Sequence, residues 1–198
     1  ALNPNSFHAM ETFAAGMESL DPLVITKGGF LVGTFGMEPY IGRFAQAFRA
    51  LPAVKLDDVK GLEDPVRVRQ QVVDGRNYLY LQNRVPVAVE VRLALKGGGG
   101  VLDLVSGAKA SLAGGGGLTV SLDPYELKSF RSEGKSPLVT GGETRLPAEF
   151  LRKLETDLGS AAKLHDDLVK SKIPVGDYTP YLRYAQDCWK ERRYARLY

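Results

Sequence analysis

Along this chain the spacing of apolar residues passes from helical to alternating and back to helical. From about Asn5 to Val59 it reads as mixed α and β. Ser6 can cap a helix over Phe7–Leu20, and Asp21-Pro22 ends it, because proline disfavours helical backbone in the residue before it. Leu23-Val-Ile-Thr26 is a short strand candidate. A second helix spans about Glu38 to Leu51, with Ile41, Phe44, Ala45 and Phe48 at helical spacing.

From about Asp64 to Ser132 the period is two. Val66 and Val68 alternate with Arg67 and Arg69, Asp74-Gly75 is a strong hairpin signal, and Tyr78 and Tyr80 alternate with Leu79 and Leu81. Val87, Val89, Val91, Leu93 and Leu95 form one apolar face, followed by Val101–Val105, by Leu118, Val120 and Leu122, and by a last strand over Glu126–Phe130. Short strands at near-regular spacing with turn signals between them predict an antiparallel β-sandwich. A polar, glycine-rich linker over Ser132–Thr144 follows. Pro147 suits a helix's first turn, and Leu151, Leu154, Leu158, Ala161, Ala162, His165 and Leu168 then share a face. Pro174-Val-Gly176 breaks the pattern, and a second helix is predicted from Pro180 to the end. The expected fold is α+β: an α/β segment over 1–62, a sandwich over 63–133, and a linker with an αα-hairpin over 134–198.

Composition adds bounds. In 198 residues, 44% apolar and 25% charged is ordinary for a globular chain. A net charge of +3 does not argue for nucleic acid, and no apolar run approaches the roughly 20 residues that cross a bilayer. The single cysteine, Cys188, excludes an internal disulfide or a multi-cysteine metal site, so the compartment is not fixed by redox chemistry. The chain opens Ala1-Leu-Asn-Pro4 without an initiator Met and stops at Tyr198 without a helix cap, which reads as a fragment of a longer protein.

Candidate chemistry is sparse. The runs Gly97–Gly100 and Gly114–Gly117 lack the Lys-Ser/Thr of a phosphate loop, and alternation resumes on both sides, so they read as hairpin connections. Gly28–Gly36 lacks the dinucleotide fingerprint, and no G-x-S-x-G elbow is present. His8 and His165 have no companions at metal-ligand spacing. No metal or cofactor is expected. Glu38, between a predicted strand and helix, is the one carboxylate placed where a catalytic loop could lie; the plainer reading is a helix-start acid favoured by the dipole. Asp57-Asp58 and Asp166-Asp167 read as solvated faces. Tyr78 and Tyr80 share a strand face that could stack on sugar rings, or pack against the helices. Cys188, beside Trp189, reads as a packing position, and Lys190–Arg196 as the polar face of a helix.

Three segments in order, Arg76-Asn-Tyr-Leu-Tyr-Leu-Gln-Asn83, Val101-Leu-Asp-Leu-Val-Ser-Gly107 and Leu118–Arg131, resemble the accessory β-sandwich that follows the catalytic barrel of large glycoside hydrolases. Leu20–Gly29 and Phe44–Pro52 are similar to the last strand and helix of such a barrel. The resemblance covers about Leu20 to Arg131 and leaves the helical hairpin unexplained. It implies a parent enzyme acting on a glycan, with its catalytic acids on barrel strands that this chain lacks. The chain's expected role is therefore non-catalytic: bracing an N-terminal barrel, its main partner. The alternatives are a glycan-binding module using Tyr78 and Tyr80, and an interaction domain whose uncovered helical face predicts self-association.

Overall fold

The computed structural model describes residues 10–25, 38–62, 64–97, 99–113, 116–132, 138–176 and 178–198. The Ser6 cap, His8, Thr26, the Gly28–Gly36 glycines, Gly98, Gly114, Gly115 and positions 133–137 of the expected linker lie outside them. The chain divides into two compact units, Ala1–Arg145 and Leu146–Tyr198.

The first unit carries α1 (Glu11–Leu20) and α2 (Glu38–Arg49), then β1 (Asp57–Asp58), β2 (Val66–Val73), β3 (Arg76–Asn83), β4 (Val89–Lys96) and β5 (Val101–Asp103). It continues with β6 (Lys109–Ala110), β7 (Leu112–Ala113), β8 (Gly117–Leu122), β9 (Leu127–Ser132) and β10 (Leu138–Arg145). Every pairing is antiparallel: one sheet has the order β1-β2-β3-β9-β5-β6, the other β10-β4-β8-β7. With the helices this is an α+β arrangement. The β2–β3 turn has Asp74 at φ 50° and Gly75 at φ 72°, the two positive values that a two-residue hairpin matched to strand twist requires.

The alternation becomes burial. On β4 and β8 the buried side chains are Val89, Val91, Leu93, Leu118, Val120 and Leu122, every second residue. β3 differs, because both of its faces are covered. Leu79 and Leu81 lie on one side and Tyr80 and Gln82 on the other, all buried. The Tyr80 side meets the helices: Met10, Ala14, Met17, Phe44, Ala47 and Leu56 form one cluster with Tyr80, Tyr125 and Leu127. Phe13 and Phe44 pack at 5.1 Å between ring centroids, within the range of favourable aromatic pairs. On the other side, Gln70 of β2 bonds both ways to the backbone of β10. Its Nε2 donates to the Val139 carbonyl at 2.8 Å and its Oε1 accepts the Val139 N–H at 2.9 Å, joining the two sheets.

Three expectations are corrected. Leu138–Arg145, expected within a linker, is a full strand paired along β4. Gly142 explains how a polar, glycine-rich segment fits there, since a Cβ at this position would stand 2.4 Å from the Arg92 carbonyl oxygen. Leu23–Ile25 are not a strand. The backbone carbonyls of Leu20 and Asp21 are taken by Lys55 Nζ, and the Asp21 carboxylate accepts the Leu56 N–H, so this segment is tied to a loop and not to a ladder. The glycine runs also differ from each other. Gly114–Gly117 joins the antiparallel pair β7 and β8, whereas Gly97–Gly100 links β4 in one sheet to β5 in the other.

The second unit carries α3 (Ala148–Lys170), α4 (Tyr178–Lys190) and α5 (Tyr194–Leu197). Pro147 precedes the first turn of α3 in extended backbone. Both long helices end alike. Lys172 and Arg192 adopt positive φ, and the next residues, Ile173 and Arg193, donate to the Leu168 and Cys188 carbonyls five positions back. The helix expected to run from Pro180 to the end is thus interrupted after Lys190. Trp189 then packs edge-on against Tyr194, and Tyr198 packs against Phe150 of α3.

Candidate functional site

The carboxyl end of α1 rests on β2 and β3, and the polar residues of the first unit converge there. A helix's last carbonyls have no partner within the helix and carry the negative end of its dipole, so they call for donors and cations. Two basic side chains supply them. Arg69 of β2, almost wholly buried, donates from Nη1 to the Met17 carbonyl at 2.7 Å and from Nη2 to the Glu18 carbonyl at 2.8 Å. Lys55 donates to the carbonyls of Leu20 and Asp21.

Tyr80 sits across from Arg69 in the β2–β3 register and is 0% exposed. Its hydroxyl accepts from Arg69 Nη1 at 2.8 Å and donates to Asp21 Oδ1 at 2.8 Å. Burial, with the neighbouring Asp21 carboxylate adding to it and Arg69 opposing, pushes the Tyr80 phenol well above its ordinary value. Arg69 also donates from Nε to Asp58 Oδ1 at 2.8 Å, although that carboxylate is half exposed. Beside this group, Arg67 reaches Glu18 at 2.7 Å and Arg84 reaches it at 3.2 Å, with Asp64 also held by Arg84. Burial alone would raise the Glu18 carboxyl, but the hydrogen bond from Arg67 and the charge of Arg84 override it and hold the carboxyl below its usual range. These carboxylates are therefore committed ion-pair acceptors. A general acid needs a raised pKa and a path to substrate; Glu18 has a lowered one, and Asp21 is buried.

Among the residues named from sequence, Tyr78 and Tyr80 share one face of β3, and Tyr80 lies beneath the helices. Tyr78 is half-buried. A sugar ring could reach Tyr80 only by displacing α1. Glu38 stands exposed in the first turn of α2, a position the helix dipole favours for an acid. Asp58 is not simply solvated, since it pairs with Arg67 and Arg69. His165 is on α3 in the other unit, with Nε2 2.9 Å from Thr179 Oγ1 of α4. Cys188 is buried on α4. No cluster of three His, Cys, Asp or Glu side chains able to hold a metal ion occurs among the described residues.

The polar group around Arg69, Tyr80, Asp21 and Lys55 is the feature that sequence reasoning missed. Its one signal was the presence of Arg67 and Arg69 on the strand face shared by Tyr78 and Tyr80. Nothing in sequence told where α1 would end in space.

No protein-family model matches this chain, and no curated protein matches it. Among solved structures, a Bacteroides fragilis protein named as a candidate alpha-galactosidase/melibiase is 26% identical, with 35% of this chain and 16% of that chain covered and a TM-score of 0.30. A second B. fragilis protein, named as a candidate alpha-galactosidase, is 22% identical over 37% of this chain and 17% of that chain, with a TM-score of 0.32. An AmyP variant in complex with maltotriose is 20% identical over 52% of this chain and 22% of that chain, with a TM-score of 0.41. The matched part is about a fifth of those chains, and with TM-scores below 0.5 these likenesses define neither fold nor activity here. The structural neighbours are glycoside hydrolases, similar to this chain over a minor part of their length.

Proposed function

We propose that this chain is a non-catalytic accessory region of a carbohydrate-active enzyme, in which the two sheets form a β-sandwich and α1 and α2 carry the join to a catalytic barrel. The observation that carries this reading is how α1 and α2 are seated. An incomplete run of barrel-like units cannot close a barrel, for which eight strands are needed. The apolar sides of α1 and α2 are instead buried on the outer face of β3 and β9, and the Arg69–Tyr80–Asp21 group ties down the end of α1. The end of that seat stays apolar and uncovered, with Leu20, Leu23 and Val24 exposed. The three segments that resemble an accessory sandwich fall on β3, on β5 with its turn, and on β8–β9; β3, β9 and β5 are consecutive neighbours in one sheet.

On this reading the purified chain turns over no aryl glycoside from a broad panel. Leu20→Asp with Val24→Asp leaves its thermal midpoint nearly unchanged, because exposed substitutions rarely cost more than about 0.5 kcal/mol. In the longer enzyme that carries this chain, the same pair lowers the midpoint of the catalytic domain and its activity. Turnover by the chain alone refutes the non-catalytic role, and an unaffected longer enzyme refutes the bracing role. The glycan-binding alternative would rest on Tyr78, the half-buried member of the pair, and calorimetry with Tyr78→Ala decides it.

A further inference from the structure

The face of the first sheet that meets the helices carries two rows of polar and aromatic side chains, and only one of them is committed. In the register across β2, β3 and β9, Arg69, Tyr80 and Ser129 stand side by side. Two residues nearer the Asp74-Gly75 turn, the same face carries Gln71, Tyr78 and Arg131, again side by side. Neighbouring strands lie about 4.8 Å apart, so the backbones of Gln71 and Arg131 flank that of Tyr78 at about 5 Å on either side. Arg76, two residues before Tyr78 on the same face of β3, is exposed.

The second row lacks what the first has. Arg69 and Tyr80 are bonded to helix carbonyls and to carboxylates. No hydrogen bond or ion pair among the described residues holds the side chains of Arg76, Tyr78 or Arg131, and Arg131 Nε is shielded from solvent without an acceptor. Gln71 accepts the Val72 N–H through Oε1, which leaves its Nε2 donors for another group. Buried polar groups in native proteins have partners in the large majority of cases, so an unpaired, half-buried guanidinium calls for an explanation. The neighbouring register positions bring no carboxylate: Val73 stands opposite Arg76, and Leu102 stands between Arg131 and Lys109.

We infer that Gln71, Tyr78, Arg131 and Arg76 form a binding platform for an acidic sugar, a pyranose ring that carries a carboxylate. The anion follows from charge. Two arginines with no acid between them attract a negative group, and the guanidinium fork matches a carboxylate with two parallel N–H···O bonds. The ring follows from Tyr78, which offers an apolar body with a hydroxyl at its tip, and from Gln71 on its far side, whose amide donates to a sugar hydroxyl. A small anion without a ring would leave Tyr78 unused, and a neutral sugar would leave the arginines unpaired. The choice of a sugar as the carrier of the carboxylate rests on the carbohydrate-active reading above. The platform itself rests on the strand register and the uncommitted side chains.

The test is isothermal titration calorimetry of the full chain at low ionic strength with three probes: a trigalacturonate, maltotriose as a neutral sugar, and a triglutamate peptide as an anion without a ring. The trigalacturonate should bind, about tenfold or more tighter than either control, and added salt should weaken it. Arg131→Gln, Arg76→Gln and Tyr78→Ala should each weaken binding about tenfold or more, whereas Lys153→Gln in the other unit should not. Tyr78 and Arg131 are half-buried, so circular dichroism verifies the fold of their variants; Arg76 is exposed, and its variant keeps the test decisive. No binding of trigalacturonate at millimolar concentration overturns the inference. So does binding that Arg76→Gln and a folded Arg131→Gln leave unchanged. Triglutamate binding as tight as trigalacturonate assigns the patch to acidic peptides and refutes the sugar. The bracing role is read separately, from Leu20→Asp with Val24→Asp in the longer enzyme, so the two readings fail independently.

Discussion

Replacing Arg69 by methionine keeps most of its apolar stem and removes the guanidinium on which the end of α1 depends. The loss is largest where the donors are buried. Two carbonyls, those of Met17 and Glu18, and the Tyr80 hydroxyl lose a donor at 2.7–2.8 Å. Leaving a buried acceptor without its donor costs about 1–3 kcal/mol, and breaking a buried charged group by removing one member costs about 3–5 kcal/mol. The pair with Asp58 adds little, because a half-exposed ion pair is screened and contributes less than about 1 kcal/mol. Tyr80→Phe removes one hydroxyl, and its neighbours keep other partners: Asp21 Oδ2 still accepts the Leu56 N–H, and Arg69 still holds both carbonyls. A cost of about 1–2 kcal/mol follows.

The expected order of destabilisation is therefore Arg69→Met, about 3–5 kcal/mol, then Tyr80→Phe, then Asp58→Ala below about 1 kcal/mol. The Arg69–Tyr80 double-mutant cycle should show about 1–2 kcal/mol of coupling. Urea melting by far-ultraviolet circular dichroism measures the totals, and hydrogen exchange of the amides of residues 11–20 locates the effect on α1. Trp189, the one tryptophan, lies in the other unit, so its fluorescence transition should stay where it is. A cost below 1 kcal/mol for Arg69→Met, or an Asp58→Ala cost equal to it, would show that surface charge rather than the buried carbonyl and hydroxyl bonds holds the helix.

Two further outcomes are expected. Tyr80 is held neutral, its folded pKa raised above the ordinary 10.0, so its contribution is complete below pH 10 and declines as the pH rises beyond that, where the unfolded chain loses the phenolic proton first. Stability measured from pH 8 to 11 should fall more steeply in the native chain than in Tyr80→Phe, and parallel curves would contradict the burial argument. Gly142→Ala forces a Cβ to within 2.4 Å of the Arg92 carbonyl and should cost about 1–3 kcal/mol in thermal melting with loss of exchange protection along β10, whereas Gly141→Ala, with open space around it, should not.

Much of the fold was legible because its signals are local. The Asp74-Gly75 turn, the alternation on β4 and β8, and the helices ending near Leu20 and Arg49 each depend on backbone preference and on one face meeting apolar surroundings. β10 was hidden because its fit depends on a partner. Thr140-Gly-Gly-Glu143 has the composition of a linker, and only the closeness of β4 makes glycine the residue that fits. The break after Lys190 was hidden too, since it rests on Arg192 taking a left-handed conformation that its side chain does not announce.

The chemistry divides in the same way. Sequence alone determined that Tyr78 and Tyr80 share one face of their strand and Arg67 and Arg69 one face of theirs, because a strand's period is two; the β2–β3 register then puts both pairs on the same face of the sheet. Whether that face meets water, sugar or protein was decided only when α1 and α2 closed over it. Once they had, the free energy of leaving helix carbonyls and a guanidinium without partners in a buried place forced Arg69, Tyr80, Asp21 and Lys55 into one group. Residues up to 59 positions apart meet there, and no pattern along the chain records where the end of a helix comes to rest.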